Sequence, residues 1–344
     1  MKEASGKSPR DKLAGALKNL LLLFGVFVVG AICLEGLTRW LIDDGQSYEL
    51  EMWKYARLVK MRDPDIGHRH RRNSAAELMG VPVRTNDFGL RGPAIADKAA
   101  PGVARIAFVG DSIAMGWGVA EQETFAHRVI EDLGRRGRKV DGFNLGVGNY
   151  NTTQELMLFQ AVGVALKPDI IVLAYFINDA EPIPTYPKES WLDLHSAAWI
   201  VLNYRLDSLI RQFGSQPDWK HYYRGLYDRD SAGWKNTQRD IGRFAEVARK
   251  LGVPLIVFNI PELRELKPYP FPDVTAKVRA VVEGQGLKFV DLLPTVESLA
   301  PPSLWVTVPD PHPNGAANAA FARGITQELL PVLKELCSKQ VKGC

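Results

Sequence analysis

The chain has 344 residues, a formal net charge of +4 at pH 7, 46% hydrophobic residues and 24% charged residues. This composition is ordinary for a globular protein and argues against extended disorder. A small net charge without a basic stripe argues against nucleic acid as a partner. The length exceeds one average domain, and one α/β domain with an N-terminal appendage would account for it.

The first 42 residues predict a membrane anchor. A basic tail, residues 1–18, precedes an uninterrupted apolar run from Leu20 to Leu34. Counted with its helix ends, from Leu13 to Ile42, this segment can span roughly 30 Å of hydrocarbon if the flanking charges snorkel. We therefore predict one transmembrane helix at residues 19–42.

The charge pattern also predicts an orientation. Basic residues precede the apolar run, which places the tail in the cytoplasm and the rest of the chain on the periplasmic side of the inner (plasma) membrane. The alternative is a cleaved signal peptide, because a run of this length also suits such a segment. Against cleavage, no small-x-small site follows the run, since Gly30-Ala31-Ile32 ends in a bulky residue.

Residues 43–100 form a polar, membrane-proximal region with turn signals at Asp63-Pro64-Asp65 and Arg91-Gly92-Pro93. Within it, His68-Arg69-His70-Arg71-Arg72 is a dense run of basic residues. Such a run could contact lipid headgroups or an acidic glycan, but charge runs are more often solvated. We therefore predict a solvated loop here.

From Val103 onward the hydrophobic pattern alternates between strand and helix. Strands are predicted at 104–110, 140–146, 169–176, 254–260 and 287–292, and helices at 121–137, 153–166, 236–251, 273–285 and 315–336. This alternation predicts a three-layer α/β/α domain over residues 101–344, with a five-stranded parallel sheet. A ligand crevice is expected at the carboxyl ends of the strands.

An insertion at residues 180–234 interrupts the alternation and is predicted to form a cap. Residues 192–213 have apolar positions at helical spacing, which predicts one docked helix. The insertion is rich in aromatic residues, namely Trp191, Trp199, Trp219, Tyr222, Tyr223, Tyr227 and Trp234. These rings could stack on sugars, but for most of them we favour a small core of the cap itself.

Two distant motifs carry residues suited to ester chemistry. The first strand delivers Gly110-Asp111-Ser112, and two hundred residues later Asp310-Pro311-His312-Pro313-Asn314 precedes the last helix. Ester chemistry needs a serine whose proton a histidine can take, with a carboxylate that fixes the imidazole. Gly-Asp-Ser alone is a weak signal, since such residues often cap helices, but the conjunction of the two motifs is strong.

Two further segments lie between these motifs, Asn144-Leu145-Gly146-Val147-Gly148-Asn149 and Phe176-Ile177-Asn178-Asp179, each after a predicted strand. With them the chain resembles the SGNH (GDSL-type) serine hydrolase family over roughly residues 84–335. The resemblance implies that Ser112 is the nucleophile and His312 the general base. It also implies oxyanion donors from the Ser112 backbone N–H, a backbone N–H near Gly148 and the Asn178 side-chain amide.

The chain departs from the family pattern in two places. Aligned on Asn144, Asn149 occupies the position where the family usually has its oxyanion glycine, with Gly148 one residue earlier, so either N–H could be the donor. Asp310 precedes His312 by two residues instead of three, as in the branch that acetylates bacterial exopolysaccharides. We assign Asp310 as the orienting carboxylate, because a neutral imidazole needs an acceptor for its second N–H; the alternative is a turn former before Pro311.

The resemblance also covers residues 86–92, which are similar to a segment that often precedes the catalytic domain in membrane-anchored relatives. No chemical role for this segment follows from the sequence. No metal site is expected, because no Cys and His spacing suggests zinc, and no cofactor, because Gly-Asp-Ser lacks the lysine of a phosphate-binding loop. Cys337 and Cys344 could close a small disulfide loop or remain free thiols.

Together these features predict a membrane-anchored serine esterase that hydrolyses an acyl ester through an acyl-serine intermediate. The family resemblance favours an O-acetyl ester on a cell-surface or exported polysaccharide. Alternatives with the same residues are a polysaccharide O-acetyltransferase and a lipid esterase or lysophospholipase. A further alternative is a catalytically silent glycan-binding scaffold of an export or biosynthesis complex.

Overall fold

The computed structural model describes residues 8–185, 188–213, 218–308 and 310–338. Its first helix, α1 (Pro9–Leu41), is about 50 Å long at the usual helical rise. Most of its large apolar side chains are exposed, and within the described ranges it is the one helix long and apolar enough to cross a membrane. Length and composition suit a membrane span or a signal sequence.

Residues 43–100, called the membrane-proximal region after the prediction, contain a helix and two small antiparallel hairpins. Helix α2 (Tyr48–Leu58) leads into β1 (Lys60–Asp63), β2 (Gly67–His70), β3 (Ala75–Leu78) and β4 (Val81–Arg84). Its apolar side chains, including Tyr55 and Val83, pack against Met115 and Trp117 of the following domain. The region therefore shares a core with that domain.

The predicted solvated loop at residues 68–72 is wrong for residues 68–70, whereas Arg71 and Arg72 follow the strand and are exposed. His68 and His70 lie in β2 and are buried, at 5% and 3% exposure. Side chains alternate between the two faces of a strand, so this short hairpin turns both histidines inward and leaves Arg69 partly exposed. A charge count cannot detect an alternation over so few residues.

Five parallel strands form the central sheet, which confirms the predicted three-layer fold. They are β5 (Ala104–Gly110), β6 (Val140–Asn144), β7 (Ile170–Tyr175), β8 (Leu255–Asn259) and β9 (Lys288–Asp291), in the order β6-β5-β7-β8-β9. Every residue of β5, β7 and β8 is buried. Sheets whose strands are buried throughout have both faces covered by helices.

The helices that follow the first strand of the sheet are α3 (Ser112–Met115), α4 (Phe125–Arg135), α5 (Thr152–Leu158), α6 (Trp191–His195), α7 (Ala197–Phe213), α8 (Trp219–Leu226), α9 (Ala232–Leu251), α10 (Pro272–Gly284) and α11 (Gly315–Ser338). In the insertion, α6 packs on α7, and α7 packs on α1 and α2. One apolar layer contains side chains of α5, α9 and α10, and the opposite layer contains side chains of α4 and α11. Gly252 ends α9 with a φ of +70°, as expected for a C-terminal glycine.

The insertion differs from its prediction in two respects. Residues 192–213 form two helices rather than one, because Ser196 is extended between α6 and α7. The aromatic residues do not form a separate core. Tyr227 and Trp234 are buried in the main core, Trp219 packs against Phe271, and Trp191 is exposed.

His312 lies in a strand rather than in the predicted loop. The segment β11 (Asp310–Pro313) pairs with β10 (Trp305–Thr307) in a short hairpin. Two prolines flank the histidine. Each can lie in an edge strand at a position where no backbone N–H has to pair with the neighbouring strand. The two alternatives for Cys337 and Cys344, a disulfide loop or free thiols, involve a residue outside the described ranges.

Candidate active site

Ser112 stands at a sharp turn between a strand and a helix. Strand β5 ends at Gly110, and Asp111 caps α3 by accepting a hydrogen bond from the Ile113 N–H at 2.8 Å. Ser112 is therefore the first residue of α3, where a backbone N–H has no acceptor within the helix. Its hydroxyl and its N–H both lie at the carboxyl end of the sheet.

The structure brings Ser112, His312 and Asp310 together in one hydrogen-bonded series. The Ser112 Oγ lies 2.9 Å from His312 Nε2, and His312 Nδ1 lies 2.5 Å from Asp310 Oδ1. The second carboxylate oxygen of Asp310 accepts a hydrogen bond from the Trp117 indole N–H at 2.8 Å. This series can move a proton from the serine hydroxyl to the imidazole while the carboxylate fixes the ring.

The surroundings keep Asp310 ionised. Burial alone would raise the pKa of Asp310, but the hydrogen bonds from His312 and Trp117 lower it below its ordinary value. Tyr48 of α2 stacks on the His312 ring with a centroid separation of 6.2 Å. The imidazole is thus held from two sides, and one of these contacts comes from the membrane-proximal region.

A cavity of about 260 Å³ opens over Ser112. Asn149, Asn178 and His312 line it, together with Tyr204 of α7 and Tyr223 of α8. Asn178 lies in a short 3-10 turn, Ile177–Ala180, directly after β7. The structure therefore collects the four predicted sequence segments around one cavity, and the insertion adds two tyrosine side chains to its wall.

Gly148 and Asn149 differ in what their backbone N–H groups contact. The Gly148 N–H donates to the Tyr55 hydroxyl at 2.8 Å, and its carbonyl accepts from His68 Nε2 at 3.0 Å. Asn149 lines the cavity, and its N–H makes no hydrogen bond within the described part of the chain. Of the two predicted alternatives, Asn149 is the one whose N–H remains available to a substrate oxygen.

The backbone of Asn149 explains the departure from the family glycine. Its φ is +67°, in the left-handed region. Glycine adopts this conformation without strain, and asparagine tolerates it better than most side chains. Its side-chain oxygen is also held, because it accepts a hydrogen bond from the Lys60 ammonium at 2.8 Å.

Sequence reasoning missed the residues that support the site from behind. Arg91 is buried, at 3% exposure, and its guanidinium donates to the carbonyls of Met115, Gly116 and Val119, just after the serine turn. Tyr55 supports the loop that carries Asn149. Arg91 belongs to the segment 86–92 noted above, and a single arginine in a polar stretch gives no periodic signal for such a role.

A buried polar network connects Tyr55 to β2. Its hydroxyl lies 2.6 Å from His70 Nε2. Burial lowers the pKa of His70 to about 3, and burial with the nearby Lys60 charge lowers the pKa of His68 to about 4. Both rings are therefore neutral at pH 7, and His70 can accept the proton of the Tyr55 hydroxyl while that hydroxyl accepts the Gly148 N–H.

Among the residues that the structure describes, no group of three or more His, Cys, Asp or Glu side chains is placed to hold a metal ion.

The comparisons with known proteins agree with this arrangement. A sequence profile of the GDSL-like lipase/acylhydrolase family matches residues 108–320. That span contains the serine turn, the Asn149 loop, Asn178 and the Asp310–His312 hairpin. The chain belongs to the GDSL-like lipase/acylhydrolase family and is a hydrolase of ester bonds.

Several solved structures are similar to the chain at low identity. TesA is 14% identical with a TM-score of 0.45, covering 66% of this chain and 99% of its own. A mutant of Axe2, an acetylxylan esterase from Geobacillus stearothermophilus, is 16% identical with a TM-score of 0.43, covering 66% and 94%. A two-domain esterase active on acetylated mannans is 16% identical with a TM-score of 0.43, covering 67% and 50%. No curated protein sequence matches the chain.

Proposed function

We propose that the chain is a membrane-anchored serine esterase that removes O-acetyl groups from a cell-surface or exported polysaccharide. The observation that carries this proposal is the series Ser112–His312–Asp310 at the mouth of a cavity also lined by Asn149 and Asn178. A nucleophile, its base, an orienting carboxylate and neutral donors are the parts that acyl transfer requires.

The proposed reaction has two acyl-transfer steps. Ser112 Oγ attacks the ester carbonyl while His312 Nε2 takes its proton, and Asp310 stabilises the imidazolium. The oxyanion receives hydrogen bonds from the Ser112 N–H, the Asn149 N–H and the Asn178 amide. His312 then returns the proton to the departing sugar oxygen, which leaves an acetyl-serine. Water, deprotonated by His312, attacks this ester and releases acetate and the free serine.

The size and lining of the cavity favour a short acyl group on a sugar. A volume of about 260 Å³ is at the small end for a ligand pocket, which suits an acetyl group better than a long fatty-acyl chain. Tyr204 and Tyr223 present aromatic rings, and Arg264, which is paired with the buried Glu262, presents a polar group that suits hydroxyl-rich substrates. These features support a polysaccharide ester over a lipid ester.

We also propose that α1 is retained as the anchor, with residues 1–18 cytoplasmic, 19–42 spanning the inner membrane, 43–100 membrane-proximal and 101–344 forming the periplasmic hydrolase domain. The last two turns of α1, which follow the apolar run, are tied to the insertion. The Glu35 carboxylate accepts hydrogen bonds from the Ser196 hydroxyl and the Ala197 and Ala198 N–H groups, and Arg39 donates to the His195 carbonyl. The helix is unbroken through this stretch, which favours retention over cleavage.

Labelling with a fluorophosphonate probe tests the nucleophile. Full-length protein in detergent should be labelled and Ser112→Ala should not, with Ser303→Ala, an exposed serine, as the matched control. Acetate release from acetylated xylo-oligosaccharide, set against release from a long-chain p-nitrophenyl ester, then tests the acyl preference. Transfer of acetyl to an added oligosaccharide in place of acetate release would assign the transferase alternative.

The anchor needs a separate test. N-terminal sequencing of membrane-extracted protein should find residues before Leu20. A mature N-terminus after residue 30, or a soluble periplasmic pool, would replace the anchor with a signal peptide.

A further inference from the structure

A second cavity adjoins the candidate active site. It has a volume of about 630 Å³ and lies between the membrane-proximal region and the insertion. Asn149 lines both this cavity and the one over Ser112, so a polymer bound in the active site can extend into it. The mechanism proposed above uses none of its other residues.

Lys60 is the most unusual group in the wall of the second cavity. Its ammonium is buried, donates to Asn149 Oδ1 at 2.8 Å and lies 4.5 Å from the centroid of the Tyr55 ring. No carboxylate lies within ion-pairing distance among the described residues. Burial lowers its pKa to about 7. A buried charge without a counter-ion destabilises a fold unless a partner is supplied.

Two arginines of the same wall also lack a carboxylate partner within the described ranges. Arg57 lies against the Trp53 ring, with its guanidinium carbon 5.0 Å from the ring centroid, and Arg71 is exposed at the cavity wall. The acidic groups present are already engaged. Glu181 accepts the Tyr222 hydroxyl at 2.7 Å, and Glu189 pairs with Arg62 at 3.2 Å. The wall therefore carries an excess of positive charge.

We propose that the second cavity is a binding subsite for an oxyanionic group, carboxylate or phosphate, carried by the acetylated polysaccharide. Arg57 and Arg71 contact this group at the mouth, and Lys60 supplies the buried counter-charge. The inference rests on the proposed function and makes it more specific, because the substrate becomes an acidic polymer. Bound anion also returns Lys60 to its charged form, and so holds the Asn149 side chain.

Binding of unacetylated oligomers tests the subsite without requiring hydrolysis. The probes are an oligogalacturonide, its methyl-esterified neutral form and a short poly(glycerol phosphate), added to the full-length chain in detergent. We expect the charged uronide to bind at least about tenfold more tightly than its methyl ester, as charge-assisted hydrogen bonds require. Tighter binding of the phosphate polymer would identify phosphate as the group. Equal binding of the charged uronide and its methyl ester, without tighter binding of the phosphate polymer, overturns the subsite.

Arginine variants test whether the anionic oligomer binds in the second cavity. Arg57→Gln combined with Arg71→Gln should weaken binding of the preferred anionic oligomer about tenfold, whereas Arg249→Gln, an exposed arginine of α9, should leave it unchanged. Wild-type affinity in the double variant would overturn the assignment. If the wild-type protein binds the anionic oligomer but releases no acetate from any acetylated oligosaccharide, the proposed esterase is rejected and the subsite is not. Acetate release with no preference for anionic oligomers would reject the subsite alone.

Lys60→Met separates a binding role from a structural one. Methionine keeps the aliphatic stem but removes the uncompensated buried charge, so the melting temperature of the free protein should rise while anion affinity falls. A lower melting temperature with unchanged affinity would mark Lys60 as a structural group and overturn its role in binding.

Discussion

The two walls of the candidate active site are built differently. On one wall, Ser112 and Asn178 follow the adjacent parallel strands β5 and β7, whose backbone hydrogen bonds fix them directly. On the other wall, Asn149 lies on a loop after β6 that Tyr55 and His68 of the membrane-proximal region hold from behind. One wall is thus positioned by the sheet and the other by a buried polar network.

This difference gives the membrane-proximal region a part in the chemistry. Arg91 holds the carbonyls just beyond the serine turn, Tyr48 stacks on His312, and Tyr55 holds the Asn149 loop. A polar segment between an apolar N-terminal helix and a hydrolase domain could be a spacer, but these contacts make it a support of the candidate active site. Mutations on the two walls should therefore have different consequences for rate and stability.

Removal of the proposed nucleophile should have the largest effect on activity. We expect Ser112→Ala to lower kcat for p-nitrophenyl acetate by a factor on the order of 10⁴–10⁶, because the triad acts as a unit. Folding should be intact, since Ser112 is partly exposed and the helix cap is Asp111. Steady-state kinetics with circular dichroism checks both, and retained activity would require a different nucleophile.

Removal of the side-chain oxyanion donor should rank second. Asn178→Ala should lower kcat by about 10²–10³ with KM little changed, because a donor aimed at developing charge acts in the transition state. Asn149→Ala is the matched change on the other wall and should cost far less, because its backbone N–H is retained. If Asn149→Ala were the crippling change and Asn178→Ala harmless, both assignments would be wrong, and the Asn149 amide would be the side-chain donor.

Tyr55→Phe tests the buried polar network that supports the Asn149 loop. It leaves the buried Gly148 N–H without its partner, and unsatisfied buried groups of this kind cost about 1–3 kcal/mol of unfolding free energy. The freed loop should also lower kcat, by about tenfold, through misplacement of the Asn149 N–H. Urea unfolding and steady-state kinetics measure the two effects. Lost stability with unchanged kcat would show that the loop does not depend on Tyr55 for its catalytic geometry.

The sequence alone predicted the wall that carries Ser112 and Asn178, which follow strands of the sheet. The alternation of apolar strands and helices predicted β5 to β9 to within two residues at each end, and Gly-Asp-Ser and Asp-Pro-His are local motifs. The other wall depends on contacts between residues far apart in the chain, such as Tyr55 with Gly148 and Lys60 with Asn149. No periodicity or spacing marks such pairs, because each partner is a single polar residue in an irregular stretch.

The errors in the prediction have the same origin. His68 and His70 were expected in a solvated loop, and His312 in a loop between prolines, but both segments are hairpin strands of four residues. Strands this short have too few side chains to produce a recognisable alternation. Their formation depends on the surface that they cover, which is a property of the folded domain.

Acid should destabilise the wall that carries Asn149 more than the wall that carries Ser112 and Asn178. His70 has a folded pKa of about 3 and His68 of about 4, both below an ordinary value near 6.5, so only the unfolded chain binds these protons at intermediate pH. The stability that these two neutral rings contribute is therefore fully present above about pH 6.5 and falls as pH decreases toward about 4, by up to about 1.4 kcal/mol per pH unit for each ring.

Urea unfolding at a series of pH values checks this effect, and His70→Gln supplies the comparison. The variant should have a shallower loss of stability between pH 6.5 and pH 4, because it removes one of the two titrating rings. An identical slope in the variant and the wild type would mean that His70 is protonated in the folded protein, contrary to its buried contact with Tyr55.

The smallest effect is expected at the backbone of Asn149. With a φ of +67° this position suits glycine, so Asn149→Gly should keep the N–H in place and leave kcat within about threefold of wild type. Asn149→Ala keeps the same N–H but puts a less tolerant side chain at this φ, so it should be less stable than the glycine variant by about 1 kcal/mol. Parallel urea unfolding and kinetics of the two variants make the comparison. Equal stability with a large loss of activity in both would show that the Asn149 side chain, through Lys60 or the substrate, matters more than its backbone.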